Sequence, residues 1–108
     1  MIRVFKGTGK VQGVMFRQTL IRAAQKRGLS GGAANLVNSK SVQFYLSGEE
    51  ELINEIISFL KSGKELNDWG ACIEDLVELE EKVVAENYEV TTENVDDFEW
   101  SPNVTMYL

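Results

Sequence analysis

Two helical runs, each set between alternating apolar runs, follow in the order β-α-β-β-α-β, which predicts an α+β fold. It is the split βαβ, or ferredoxin-like, sandwich: one antiparallel sheet with two helices on one face. Three observations carry this. The period changes from two to helical at Met15, returns to two between Ala33 and Leu46, and becomes helical again from Leu52 to Leu60.

The first strand reads from Ile2, Val4 and Lys6 alternating with Arg3 and Phe5, and it ends at the glycines. From Met15 onward Phe16, Leu20, Ala23 and Ala24 recur at helical spacing, while Arg22, Lys26 and Arg27 take the polar side and suit the carbonyl end of the helix dipole. Gly28 stops that helix. Gly31-Gly32 then leads into a second strand over Ala33-Ala34-Asn35-Leu36-Val37, and an Asn38-Ser39 turn joins it to the alternating Val42, Phe44 and Leu46. Ser47 with Glu50 has a capping-box pattern and opens a second helix through Leu52, Ile53, Ile56, Ile57 and Leu60, ending near Gly63.

Ile73, Val77 and Leu79 stand at even spacing and give a fourth strand from about Ala71 to Glu80, with Asp75 on the same face against the pattern. Val83-Val84 and Tyr88 to Thr92 have strand-like content without a clear register, and read as an elaborated loop with an extra hairpin open to it. A last strand through Val104, Met106 and Leu108 follows Pro102. In this topology the first strand lies mid-sheet beside the second, so the loop after it, the first turn of helix one and the early part of strand two meet at one end.

A length of 108 residues bounds the chain to one domain, residues 1–108, with a modest core. Apolar residues at 44% and charged residues at 26% are those of a globular fold and exclude a mainly disordered chain. No run is long enough to span a bilayer, and Met1 to Lys6 lacks a signal-peptide core, so the chain reads as cytoplasmic with no membrane partner. The single cysteine, Cys72, fits a reducing compartment and reads as a small, partly buried thiol. There is no histidine, which excludes Ser-His-Asp and Cys-His catalysis and the common zinc sites.

The net charge of −6 conceals a division: residues 1–40 hold eight Lys or Arg and no acid, while residues 41–108 hold three Lys against seventeen acids. A basic block raises nucleic acid as a partner. The acidic remainder would repel a long polyanion and no aromatic stacking motif accompanies the basic residues, so no nucleic-acid partner is expected. A small anion in a local positive pocket fits the division better. The acidic runs Glu49-Glu50-Glu51, Glu78 to Glu81 and Asp96-Asp97 read as solvated surface, since consecutive carboxylates point in different directions and do not form a metal site.

The most pointed chemistry lies in Gly9-Lys10-Val11-Gln12-Gly13-Val14-Met15-Phe16-Arg17. Glycines let the backbone curl so that N–H groups face inward, and the helix N-terminus adds partial positive charge at the same place. Arg17 supplies a full charge, and its planar fork fits two oxygens of a phosphoryl group. Asn35 is the polar residue of an otherwise small, apolar strand. Its amide can bind a water through both its carbonyl and its NH2 and hold it on line with a phosphorus atom.

Together with Gly28-Leu29-Ser30-Gly31, these residues resemble the signature of the acylphosphatases, including the spacing from the arginine to the asparagine. The resemblance covers residues 1 to about 63, and the ending from Phe98-Glu99-Trp100-Ser101 to Leu108 is similar to the family's last strand. It implies an enzyme that hydrolyses the mixed anhydride of a carboxylic acid and phosphate, without cofactor, metal or covalent intermediate. Arg17 would bind the phosphate and Asn35 would position the nucleophilic water. The backbone amides of Gln12, Gly13, Val14, Met15, Phe16 and Arg17 would complete the cradle, with the Phe16 ring packed beneath in the core.

Such a reaction suits a histidine-free chain, because it asks mainly for positioning and charge stabilisation and its carboxylate leaving group needs no strong protein acid. The substrate's own phosphate is expected to take the proton of the water. A small-molecule acyl phosphate is thus the expected partner, and a monomer the expected state.

Three positions depart from the family's pattern: Gly32 stands where an aromatic residue is usual, Ala34 where a basic one is common, and Asn38-Ser39 where an Asp-Gly turn is common. These changes are expected to loosen strand two and set Asn35 less firmly. The region from about Trp69 to Asp97 is longer than the family's. A second reading therefore stays open, a catalytically weak anion- or partner-binding module on the same fold.

Overall fold

The computed structural model describes residues 1–36, 40–80, 88–101 and 104–108. In chain order it has β1 (Ile2–Lys10), α1 (Phe16–Lys26), β2 (Ser30–Asn35), β3 (Ser41–Ser47), α2 (Glu50–Lys61), β4 (Cys72–Leu79) and β5 (Val90–Thr91), then a 3-10 turn over Val95–Asp97. The strands form one sheet in the order β4-β1-β3-β2-β5, every described pairing antiparallel. This is the expected α+β, ferredoxin-like arrangement, with α1 packed on β2 and α2 on β4.

The apolar spacing of each helix explains its placement. α1 buries Phe16, Leu20, Ile21, Ala23 and Ala24, and α2 buries Ile53, Ile56, Ile57 and Leu60. Facing them on the sheet are Phe5, Ala33, Val42, Phe44 and Leu46, and the rings of Phe5 and Phe44 stack with centroids 5.2 Å apart. Burial of a large apolar side chain contributes about 1.5–3 kcal/mol. Helices of 11 and 12 residues are marginal in water, so packing on the sheet holds them rather than propensity.

Several expectations are corrected. β1 does not end at the glycines but runs through Gly7 and Gly9 to Lys10. Its neighbours are β3 and β4, not β2, because β3 inserts between the two. β2 begins at Ser30, with Gly31 and Gly32 inside it, and Asn35 is its last residue rather than an early one. The capping box does not form: Ser47 is still in β3, the N-cap of α2 is Glu49, and no side-chain cap bond is made there. The Asn38-Ser39 turn, Val83-Val84 and Pro102 lie outside the described residues.

β4 shows why its alternation was imperfect. Thr8 pairs with Asp75 and Gly9 with Ile73, so Glu74 is an extra residue in a bulge. The bulge lets Ile73 and Leu76, three apart, both meet the core, and leaves Val77 51% exposed. Gly9 permits this with a φ of +144°, since a Cβ there would lie 2.6 Å from the Cys72 carbonyl oxygen.

The far edge of the sheet is also not as expected. β5, within the stretch read as a loop, pairs with β2 through Gly32–Thr91 and Ala33–Val90. The closing segment through Val104, Met106 and Leu108 makes no sheet strand; it forms a single bridge, Asn67 to Met106. Alternation alone does not distinguish a strand from a segment that pairs with a loop.

Candidate active site

The loop from Val11 to Met15 joins β1 to α1, and two of its residues take left-handed backbone: Gly13 at φ +76° and Met15 at φ 58°, ψ 31°. Glycine does so freely, but a methionine there is strained by about 1–2 kcal/mol. Left-handed residues placed this way curl a loop into a concave run of amides.

Strain of that kind persists only where the surroundings enforce it. Here the enforcement comes from Asn67, which is fully buried. Its Nδ2 donates to the Val14 carbonyl at 2.9 Å and to Thr19 Oγ1 at 2.8 Å, while its Oδ1 accepts from the backbone N–H of Trp69 at 2.9 Å. Thr19 Oγ1 in turn donates to the Met15 carbonyl at 2.8 Å. Neither Asn67 nor Thr19 was identified from the sequence. Asn67 follows α2 with no motif around it, and Thr19 reads as an ordinary helix residue.

Met15 is the N-cap of α1 and gives no side-chain cap bond, and the first turn of the helix carries no acid. The contrast with α2 is direct, since Glu50 and Glu51 fill its first turn. The positive end of α1 is therefore left for an outside anion. Arg17 stands in that turn. Its Nη1 lies 2.5 Å from Glu89 Oε1, next to β5, without an aligned hydrogen bond.

A cavity of about 230 Å³ opens at this point. Of the candidate site residues, Gly13, Met15, Phe16 and Arg17 line it; Gln12, Val14 and Asn35 do not. Val14 is turned inward, its carbonyl held by Asn67, and Phe16 is buried in the core as expected. The remaining lining includes Trp69, Val90 and Phe98.

Asn35 shares the helix-side face of the sheet with Ala33, whose partner Phe44 is in the core. It lies level with Gly7 of β1, three residues before that strand ends, because Val42 of β3 pairs with both Asn35 and Gly7. β3 stands between the two strands, so Asn35 and Gly7 are two strand spacings, about 10 Å, apart. Asn35 Oδ1 is buried and accepts no hydrogen bond from the described residues. Most buried polar atoms are paired, so such an orphan calls for an explanation.

Gly32 is explained by the residues around it. A Cβ there would lie 2.7 Å from Tyr45 Cε1 and 2.9 Å from Tyr88 Cβ. The two tyrosine rings pack against each other at 5.0 Å, and Gln43 donates to the Tyr88 hydroxyl at 3.3 Å. The missing aromatic side chain is replaced from outside the strand, so β2 is covered at Gly32 rather than loosened.

The wider surroundings brace the site. Asp68 accepts hydrogen bonds from the Tyr107 hydroxyl and, at 2.7 Å, from the Thr105 N–H, tying the loop after α2 to the chain's end. The Tyr107 bond lowers the Asp68 pKa and raises that of Tyr107. Cys72 is a half-buried free thiol, and among the described residues no three acids, cysteines or histidines cluster as a metal site. No helix is long and apolar enough to cross a membrane.

A family model described as Acylphosphatase matches residues 4–99. An acylphosphatase of Caldivirga maquilingensis is 40% identical over 72 residues, 67% of this chain and 70% of that protein. One of Dehalococcoides mccartyi is 33% identical over 90 residues, 83% of this chain and 86% of its own. The solved structure of an acylphosphatase from Coxiella burnetii aligns with a TM-score of 0.61 at 27% identity, covering 82% of this chain and 85% of that one. The matched span takes in the loop, Arg17 and Asn35, and the chain belongs to the acylphosphatase family.

Proposed function

We propose that this chain hydrolyses acyl phosphates to a carboxylate and inorganic phosphate by in-line attack of water, with Arg17 and the loop amides holding the phosphoryl group. The reading rests above all on two buried polar atoms without an aligned hydrogen bond among the described residues, Arg17 Nη1, held only by its ion contact with Glu89, and Asn35 Oδ1; Arg22 Nε is the third such atom and does not line the cavity. A phosphoryl oxygen satisfies the first, and a water satisfies the second.

In this scheme the phosphoryl oxygens lie against the amides of residues 12–17 and the guanidinium, which stabilise charge on the equatorial oxygens. Asn35 accepts a hydrogen bond from the attacking water. A new P–O bond forms to that water as the P–O bond to the acyl carboxylate breaks, and the proton passes to the phosphate. No metal, imidazole or covalent intermediate is required. The reading takes the chain to act as a monomer in the cytoplasm, where the free Cys72 thiol stays reduced.

The test is hydrolysis of benzoyl phosphate, followed by loss of absorbance with and without EDTA. Activity should survive EDTA. Arg17→Ala should lower kcat/KM by about 10³-fold, and Asn35→Ala should lower kcat by about 10²–10³-fold with KM little changed.

The contact between Arg17 and Glu89 supports a second reading, an anion- or partner-binding module of low activity, because it already neutralises the cation. A wild type no faster than buffer that still binds phosphate would establish that reading instead.

A further inference from the structure

We infer, resting on the acyl phosphate reading, that Trp69 is the wall that receives the acyl group and that this group is apolar and uncharged. Trp69 is 44% exposed, and of the large apolar side chains left exposed, Met1, Trp69, Val77 and Tyr107, it is the one that lines the cavity. An indole at the mouth of a polar site offers a large flat apolar surface.

Its position is fixed relative to the phosphate loop. Asn67 Oδ1 accepts the Trp69 N–H at 2.9 Å, and Nδ2 of the same side chain holds the Val14 carbonyl at 2.9 Å. One buried amide therefore holds the backbone N–H of Trp69, beneath the acyl wall, and the carbonyl of Val14 in the phosphoryl cradle. Asp68, the residue between, is bonded to Thr105 and Tyr107 of the closing segment.

The chemistry of the lining selects the ligand. Beyond the loop the cavity is bounded by Trp69, Phe98 and Val90, and among the described residues Arg17 is the charged side chain that lines it. The phosphoryl group takes that charge. A second anionic group on the acyl portion would approach the Glu89 carboxylate that pairs with Arg17. A cavity of about 230 Å³ leaves room for phosphate with a ring or a short branched chain.

The experiment compares KM for acetyl, benzoyl and succinyl phosphate in the wild type, Trp69→Ala and Trp69→Phe. The wild type should bind benzoyl phosphate most tightly and succinyl phosphate worst. Trp69→Ala should raise the benzoyl KM by about 5–10-fold and leave acetyl phosphate unchanged, while Trp69→Phe keeps most of the preference. Equal benzoyl KM values in Trp69→Ala and the wild type, with acetyl phosphate hydrolysed normally, would overturn the assignment of Trp69 alone. Equal losses for all three substrates would make Trp69 merely structural and overturn it too. A wild type that hydrolyses none of the three defeats the acyl phosphate reading itself, and this inference with it.

Discussion

Glu89→Gln should make the enzyme bind its substrate more tightly. In the unliganded chain the Glu89 carboxylate lies 2.5 Å from Arg17 Nη1, so a phosphoryl group must displace it to reach the guanidinium. The Arg17 side chain is 26% exposed and that of Glu89 60%, which places the pair in water-screened surroundings. Exposed ion pairs contribute about 0.2–1 kcal/mol, and the lack of an aligned hydrogen bond sets no higher value here. Removing the competing charge should therefore lower KM for benzoyl phosphate, and the Ki of inorganic phosphate, by about 2–5-fold with kcat unchanged. The melting temperature should fall by about 4 °C or less. The kinetic difference should shrink as salt is raised, because both the pair and its competitor are screened. Glu93→Gln is the control, removing the same charge from the same segment. If KM is unchanged or higher in Glu89→Gln, or kcat falls, Glu89 orients Arg17 rather than competing with substrate, and the reasoning fails.

Asn67→Ala removes the bonds to Val14, Thr19 and Trp69 and leaves buried backbone groups unpaired, which costs about 2–4 kcal/mol, or roughly 10 °C in thermal melting. Measured well below the melting range, kcat/KM should fall as well; an unchanged value would show that Asn67 does not set the loop. Gly32→Ala should destabilise by about 1–3 kcal/mol, because its Cβ meets Tyr45 and Tyr88. Most of that loss should vanish in a Tyr45→Ala, Tyr88→Gly background, which removes both contacts, in denaturant titrations, and strict additivity would refute the packing account.

What the sequence revealed, and what it concealed, follows from the range of the interactions involved. The core faces of α1 and α2 were legible because helical spacing is local, and the loop to Arg17 because its glycines and the following helix lie side by side in the chain. Asn35 was legible as an odd polar residue, but its level with Gly7 of β1 depends on β3 lying between them. The bulge at Glu74 depends on how β1 and β4 align, which no single strand encodes. The β5 edge is two residues long and carries almost no pattern, whereas the longer alternation of Val104 to Leu108 imitated a strand. Asn67 was invisible for the same reason. Its meaning comes from Val14 and Thr19, some fifty positions away.

The charge division of the sequence acquires its meaning only when the four arginine ion pairs are compared. Each joins the basic first part of the chain to the acidic remainder: Arg3 to Glu78, Arg17 to Glu89, Arg22 to Asp96 and Arg27 to Glu55. Three of these guanidinium groups are also committed by hydrogen bonds. Arg3 makes two to Glu78 and one to Asn54; Arg22 donates to Gln18 and to the carbonyls of Val95 and Phe98; Arg27 donates to Glu55 and to the Ala23 carbonyl. Moving any of them would break directional bonds that hold a helix or strand to a neighbour. Arg17 has only its ion contact with Glu89 among the described residues, and it alone of the four lines the cavity. An anion can exchange with a carboxylate there without unbinding anything else. Identical residue types in one basic block thus divide by hydrogen bonding into three that join the fold and one left free to meet a phosphate.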